Sequence, residues 1–162
     1  MRNVIGASPA GAVLGVPRPA GHEGPCGQAA PRGKGFLVVA VLPASARAVP
    51  RLRRLARAVV RSHRLPEAAE EALTVIVSEL GTNVVLHSGS PELEVVFEID
   101  DTSLTVRVRD CGRWRQRPAP RCEPDDMDAP FGRGLALVDA YSVDTSVLRS
   151  ADGTQVRAVI AL

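Results

Sequence analysis

Residues 77–83 read Val-Ser-Glu-Leu-Gly-Thr-Asn, and a histidine follows at position 87. This stretch lies in a segment whose apolar residues have helical spacing. Pro66 can begin a helix there, and acidic residues in its first turns suit the helix dipole. The segment therefore predicts a helix from Pro66 to about His87. Because Glu79, Asn83 and His87 are four residues apart, they form one polar stripe beside the apolar face of that helix.

The residue types in this stripe suit magnesium and phosphate. Asn83 offers a hard amide oxygen, and Mg²⁺ uses few protein ligands while it keeps several waters. Glu79 can accept a proton from an attacking hydroxyl group or water. A rim of ordinary solvated polar residues is the alternative that the helix alone leaves open.

A second pattern, Asp110-Cys111-Gly112, directly follows a predicted strand. An aspartate at a strand end can accept a hydrogen bond from an exocyclic amine, and glycine allows a close backbone approach. Asp-x-Gly is also a common turn, which is the alternative here.

A third pattern, Gly132-Arg133-Gly134-Leu135, joins a long loop to a helix predicted over residues 133–140. Free backbone N–H groups and the helix dipole attract anions at such a position, and Arg133 adds positive charge. A glycine-rich helix start without a ligand is the alternative. The pattern is neither a P-loop nor a dinucleotide-binding fingerprint.

The remaining sequence indicates how these patterns are arranged. A β-branched run predicts a strand over residues 36–42, and the arginine-rich residues 45–65 predict a first helix. Alternating residues predict hairpins over 93–109 and 143–160, while the unpatterned residues 111–130 predict a functional loop or lid. The order β-α-α-β-β-loop-α-β-β favours an α+β two-layer sandwich. In it, a mixed, mostly antiparallel sheet of about five strands carries helices on one face.

The composition favours one cytoplasmic domain. Glycine and proline interrupt residues 1–35, so we expect a flexible tail there and a folded domain over residues 36–162. No apolar run approaches the roughly 18 residues of a membrane-spanning helix. Three cysteines without a CxxC pair argue against a disulfide framework or a zinc site and favour a reducing compartment.

Charge is unevenly distributed along the chain. Residues 1–65 carry eleven Lys and Arg against one acidic residue, whereas residues 66–162 carry nine against seventeen. A basic half can attract nucleic acid or an acidic protein. Aromatic residues are only 3% of the chain, which disfavours binding of single-stranded nucleic acid by stacking. DNA binding through the arginine-rich helix remains an alternative, and we favour that helix as a docking face for an acidic protein.

Together and in this order, the three patterns are far more specific than any one of them. With Gly153-Thr154 before the last strand, they resemble the GHKL superfamily of histidine kinase-like ATPases. Within it, residues 77–83 with His87, and residues 132–138, look most like the small anti-sigma-factor serine/threonine kinases. The resemblance covers about residues 36–162.

This resemblance implies that the domain binds ATP with Mg²⁺ under a lid. Asn83 would ligate the metal, Glu79 would act as the catalytic base, and Asp110 would read the adenine amine. The other residues that it implies in nucleotide binding are His87, Gly112, Gly132, Arg133, Gly134, Leu135, Gly153 and Thr154.

The resemblance also implies partners and a reaction. The γ-phosphate would go to a serine of a small anti-anti-sigma protein, and otherwise the chain would hold a sigma factor inactive, commonly as a homodimer. This sequence departs from the family at the arginine-rich residues 113–117, where another glycine and a proline-containing turn are usual. Trp114, within them, is either a lid anchor or a partner contact. Gly81 replaces a larger apolar residue, which weakens the helix by ~1 kcal/mol relative to alanine.

These departures leave a second function open. The chain would then be a catalytically weak, nucleotide-gated module that sequesters a protein partner without phosphotransfer.

Overall fold

The structure, a computed structural model, describes residues 13–17, 35–114 and 133–162. Its element order is β1-β2-α1-α2-β3-β4-α3-β5-β6. The helices are α1 (Ala48–His63), α2 (Glu67–Asn83) and α3 (Arg133–Ala140). The strands are β1 (Val13–Pro17), β2 (Phe36–Pro43), β3 (Glu92–Ile99), β4 (Ser103–Asp110), β5 (Asp144–Ser150) and β6 (Gly153–Ala161).

A single sheet holds these strands in the order β1-β2-β3-β4-β6-β5. The predicted α+β layer with a mostly antiparallel sheet is confirmed. Every pairing among the described strands is antiparallel, whereas a mixed sheet was expected. The described sheet has six strands, one more than the approximate number expected. Two consecutive helices return the chain to the same end of the sheet, which makes β3 antiparallel to β2. Strand β5 runs in the direction of β4, but β6 lies between them.

The additional strand, β1, lies within the predicted flexible tail. Its residues Val13–Pro17 pair with Phe36–Ala40 of β2 in antiparallel register. Valine favours a strand, and Pro17 is tolerated because it ends one at the edge of the sheet. The prediction of a flexible tail over residues 1–35 is therefore wrong for these five residues, because the surrounding glycines and prolines obscured a short run. The other residues of that tail before position 35 lie outside the described residues.

The core lies between the helices and one face of the sheet. Strands β2, β3, β4 and β6 mainly bury alternate side chains, as a period of two predicts, whereas β5 buries none. Fully buried representatives are Leu52 of α1, Ile76 of α2 and Phe97 of β3, each at 0% exposure. No helix of the described residues is long and apolar enough to cross a membrane.

Gly81 brings α1 and α2 close together. A Cβ atom at this position would lie 2.6 Å from Cδ1 of Leu52, which is itself fully buried. Arg53 also joins the helices, because its Nε donates to Oγ of Ser78 at 2.7 Å. The missing side chain at Gly81 therefore gives close helix packing, which offsets the loss of helix propensity.

Asp100 fixes the turn between β3 and β4. Its Oδ1 accepts from the backbone N–H of Thr102 at 2.9 Å and of Ser103 at 2.8 Å, while its Oδ2 accepts from the Ser103 hydroxyl at 2.9 Å. Burial alone would raise the pKa of Asp100, but the hydrogen bonds from Thr102 and Ser103 outweigh it, so the pKa lies below its ordinary value. This turn sets the register of β4 against β3, and β4 ends at the candidate site.

We expect Asp100→Asn to lower the free energy of unfolding by about 1 to 2 kcal/mol at neutral pH, since an amide accepts these bonds more weakly than a carboxylate. Because the folded pKa is lowered, the contribution is complete above the unfolded pKa of roughly 3.9 and is lost as pH falls through the folded pKa. Urea unfolding between pH 3 and 7 tests this. The neighbouring exposed Asp101→Asn is the control, and an equal effect of both substitutions would contradict the assignment.

Candidate functional site

Three segments that are distant in sequence meet around the C-terminal end of α2. They are the loop after β4, the start of α3 and the start of β6. Three glycines make these contacts, because at each of them an added Cβ atom would meet atoms of another segment. The sequence patterns that carry the predicted site residues are therefore assembled in space.

Asp110 is the last residue of β4, and its side chain points toward the helices. It is 3% exposed and lies directly opposite Thr154 of β6, which is also 3% exposed. The alternation of β4 predicts this orientation, since Leu104, Val106 and Val108 face the same way. A buried carboxylate requires hydrogen-bond donors.

Two donors satisfy the Asp110 carboxylate. The backbone N–H of Gly112 donates to Oδ1 at 2.8 Å, and the indole Nε1–H of Trp114 donates to Oδ2 at 2.6 Å. Trp114 is partly buried and packs against the core. The sequence offered a lid anchor or a partner contact for Trp114, and the structure places it against the predicted base-recognition residue.

Gly112 lies against the backbone at the end of α2. A Cβ atom there would overlap the carbonyl oxygen of Ser88 and lie 2.9 Å from the backbone nitrogen of Ser90. The next residue, Arg113, donates its backbone N–H to the same Ser88 carbonyl at 2.9 Å. The close approach that glycine was expected to allow is therefore a contact within the protein.

Gly153 has a similar role where β6 begins. Its φ of 136° is a conformation that side chains disfavour, and an added Cβ atom would overlap the carbonyl oxygen of Asp110. This contact holds Thr154 in register opposite Asp110. Gly112, Gly153 and Thr154 thus surround Asp110, and their roles in nucleotide binding stay a prediction.

The start of α3 lies beside Glu79 and Asn83. A Cβ atom on Gly134 would be 2.8 Å from Oε2 of Glu79 and 3.7 Å from Oδ1 of Asn83. Both side chains are partly exposed, so they can meet a ligand from solvent. The first and third sequence patterns therefore form one surface of carboxylate, amide and helix N-terminus.

The other residues of the third pattern are less fully described. Leu135 is 8% exposed and belongs to the core, so it can reach a ligand only through its backbone. The backbone of Arg133 begins α3, but the position of its side chain lies outside the described part of the chain. Gly132 and the predicted loop after Trp114 also lie outside it.

His87 lies in a turn of a different helix type from the rest of this helix. After Asn83 the helix becomes π-helical over Val84–Ser88. A π-helical turn closes between residues i and i+5, so it holds more residues than an α-helical turn. His87 is the fourth residue of this turn and is partly exposed, and its place in the stripe stays a prediction.

Ser88 and Ser90 make hydrogen bonds near the site that were not predicted from the sequence. The Ser90 hydroxyl accepts the backbone N–H of Cys111 at 3.2 Å and donates to the carbonyl of Glu92 at 2.6 Å. The Ser88 hydroxyl accepts the N–H of Ser90 at 2.9 Å. Both serines are buried, and they join the end of α2 to the loop that carries Asp110. No sequence pattern singled out these two serines, which follow the predicted end of the helix at about His87.

A groove on the opposite face of the sheet does not coincide with this site. Aliphatic side chains of β2 and β3, including Val39 and Val96, line it together with charged residues such as Glu94 and Arg109. Arg109 and Asp110 are adjacent on β4 and therefore point to opposite faces.

Comparisons with known proteins agree with this fold. Residues 42–160 match the family described as the histidine kinase-like ATPase domain. The chain is similar in structure to the RsbU and RsbW domains of Rv1364c from Mycobacterium tuberculosis, with a TM-score of 0.61 and 18% sequence identity. That match covers 76% of this chain and 32% of the other, so the chain spans about a third of its length. No curated protein matches the sequence.

We expect Gly112→Ala to lower the free energy of unfolding by about 2 kcal/mol, because the methyl group must separate two backbones. Trp114 emission should also shift to the red as its contact with Asp110 loosens. Gly89→Ala is the matched control: Gly89 has a φ of 71° but nothing within 4 Å of an added Cβ atom. Conformational strain alone should cost it about 1 kcal/mol. Equal losses in the two variants, with unchanged emission, would contradict the crowding at Gly112.

Proposed function

The chain belongs to the histidine kinase-like ATPase domain family, and on that premise we propose that it is an ATP- and Mg²⁺-dependent serine/threonine kinase that acts as an anti-sigma factor. The observation that supports the proposal is the closeness of Gly134 to Glu79 and Asn83, which brings the helix start predicted to bind anions beside the predicted proton acceptor and the predicted metal ligand. The substrate would be a serine of a small anti-anti-sigma protein.

The residues present fit a magnesium ion shared with phosphate. The described residues contain no group of three His, Cys, Asp or Glu side chains that could hold a metal alone. Mg²⁺ commonly takes one or two protein oxygens and fills its remaining positions with water and substrate phosphates. Asn83 would supply the protein oxygen, and bound Mg²⁺ would neutralise charge on the phosphates.

The nucleotide would span the two halves of the site. Asp110 would accept a hydrogen bond from the adenine amine, with Gly112, Gly153 and Thr154 around it. At the other end, backbone N–H groups at the start of α3, in Gly132-Arg133-Gly134-Leu135, would bind phosphate oxygens. His87, beyond Asn83, would border the space between the two ends.

Glu79 would act as the base. Its carboxylate is partly exposed and lies beside Gly134, where the phosphates would be held. A carboxylate at this place can accept the proton of an attacking serine hydroxyl as its oxygen bonds to the γ-phosphorus, while the bond from that phosphorus to the bridging oxygen breaks and ADP leaves. General-base catalysis of this kind contributes about 10²- to 10⁴-fold to a rate.

The proposed partners follow from the resemblance and from the charge of α1. The outer face of this helix presents exposed arginines, including Arg54 and Arg61, and its first turn holds no acidic residue. Arg57 lies 3.7 Å from Glu70 of α2, and Arg53 bonds Ser78, so part of the basic charge already has partners. The remaining charge suits an acidic protein, and we place the complex in the cytoplasm, with a sigma factor or an anti-anti-sigma protein bound to a homodimer.

We expect Glu79→Gln to lower phosphotransfer about 10²- to 10⁴-fold, because the base is removed, while ATP affinity changes little. Transfer of ³²P from ATP to small anti-anti-sigma proteins of the same genome measures the reaction, and calorimetry with Mg²⁺ measures binding. The control is Glu67→Gln, which removes an exposed carboxylate from the same helix. Asn83→Ala should weaken binding of ATP only when Mg²⁺ is present.

Three outcomes separate the possibilities. Absence of nucleotide binding by the wild-type chain contradicts the whole proposal. Binding without transfer to any partner favours the alternative of a nucleotide-gated module that sequesters a protein. Equal transfer by the wild type and Glu79→Gln contradicts the role of Glu79 alone.

We expect Gly134→Ala to reduce phosphotransfer at least about tenfold, since small misplacements of catalytic groups have large kinetic effects. The added methyl group would displace the Glu79 carboxylate, which is the movable end of a side chain, so thermal stability should change little. Ala136→Gly is the control, because it alters the same helix at an exposed position. Full activity of Gly134→Ala would show that the contact with Glu79 is not needed.

A further inference from the structure

The bond between Trp114 and Asp110 occupies the place where the proposed function puts a purine base. Oδ2 of Asp110 accepts the indole N–H at 2.6 Å, and Oδ1 accepts the N–H of Gly112 at 2.8 Å. Asp110 is 3% exposed, so little of its carboxylate remains open to solvent. A ligand that bonds Oδ2 of Asp110 would have to share this oxygen with the indole or displace it.

The indole and an adenine base have the same means of binding here. The indole nitrogen is a donor only, and it belongs to a flat, two-ring aromatic group. Adenine presents an amine donor on a flat, two-ring aromatic group of similar size. A carboxylate oxygen can accept more than one hydrogen bond, so the two rings compete for the space beside Oδ2 rather than for the oxygen alone.

The surrounding backbone is held independently of this indole. The N–H of Arg113 is bonded to the carbonyl of Ser88, and the N–H of Cys111 is bonded to the hydroxyl of Ser90. Asp110 also lies in the register of β4 with β6. Displacement of the Trp114 side chain therefore need not disturb Asp110, and the carboxylate stays ready for a new donor.

We propose that Trp114 is an internal competitor of adenine that occupies the base-recognition carboxylate of Asp110 until a nucleotide displaces it. This inference rests on the proposed function, since it requires that Asp110 reads adenine. The apparent affinity for ATP is then reduced by the fraction of molecules in which Trp114 occupies Asp110. Nucleotide binding is coupled to release of the Trp114 side chain.

The sole tryptophan of the chain provides a direct measurement. In the wild-type protein, Mg²⁺-ATP should shift Trp114 emission to the red and increase its quenching by acrylamide. Inorganic triphosphate carries no base and should leave the emission unchanged. An equal shift with triphosphate, or no shift at saturating ATP, would overturn the proposal.

Substitutions test the competition itself by calorimetry. Trp114→Phe keeps an aromatic ring without the N–H donor, and it should bind ATP about tenfold more tightly than the wild type. Trp114→Ala should bind at least as tightly, and thermal melting establishes that both variants are folded. Tyr141→Phe is the matched control, because it removes an aromatic donor that bonds the carboxylate of Glu71 at 3.3 Å. Its ATP affinity should equal that of the wild type.

The failures can be told apart. If neither the wild type nor the Trp114 variants bind ATP, the proposed function fails, and this inference fails with it. If the wild type binds ATP and both Trp114 variants bind it equally or more weakly, only the internal competition is overturned. The second result would make Trp114 a neutral neighbour or a part of the nucleotide-binding surface.

Discussion

At Gly112 the loop after β4 lies against the carbonyl group of Ser88 so closely that no side chain fits between them. This contact joins the π-helical turn after α2, the longest helix among the described residues, to the end of a central strand. The N–H of Arg113 completes it by bonding the same carbonyl. Gly153 adds a second backbone contact on the other side of Asp110, so three chain segments are fixed around one carboxylate. The position of Asp110 relative to α2 depends on these two glycines.

The site is built from two kinds of regular structure, and each contributes what its geometry allows. The sheet alternates its side chains with a period of two, so Asp110 and Thr154 are buried side by side between neighbouring strands. The helix repeats about every four residues, so Glu79 and Asn83 share a partly exposed face. The buried half suits recognition of a flat base, and the exposed half suits charged groups that keep some water. Gly134 brings α3 to the exposed half.

Sequence reasoning succeeded where one regular element determines the answer. The alternating residues predicted the hairpin of β3 and β4, and the spacing on α2 predicted that Glu79 and Asn83 share one face. It failed where two distant segments decide together. The bond from Trp114 to Asp110 depends on the conformation of a loop, and the close helix packing at Gly81 depends on Leu52 of another helix. The strand at Val13–Pro17 exists through its pairing with β2, so its own composition gave little indication of it. The π-helical turn that contains His87 was not predicted, because a change in helix type has no simple sequence signature.

The π-helical turn at Val84–Ser88 also bears on how this chain could have arisen. Such a turn results when one residue is inserted into an α-helix while both ends of the helix stay where they are. Here the helix is held before the turn by its packing against α1 and after it by the contact of Ser88 with Gly112. Deletion of one residue from the turn would let α-helical winding continue through it while Ser88 stays beside Gly112. A homologous chain that is one residue shorter here would therefore keep the same connection into β3, and a sequence alignment across this turn would need a gap inside a helix.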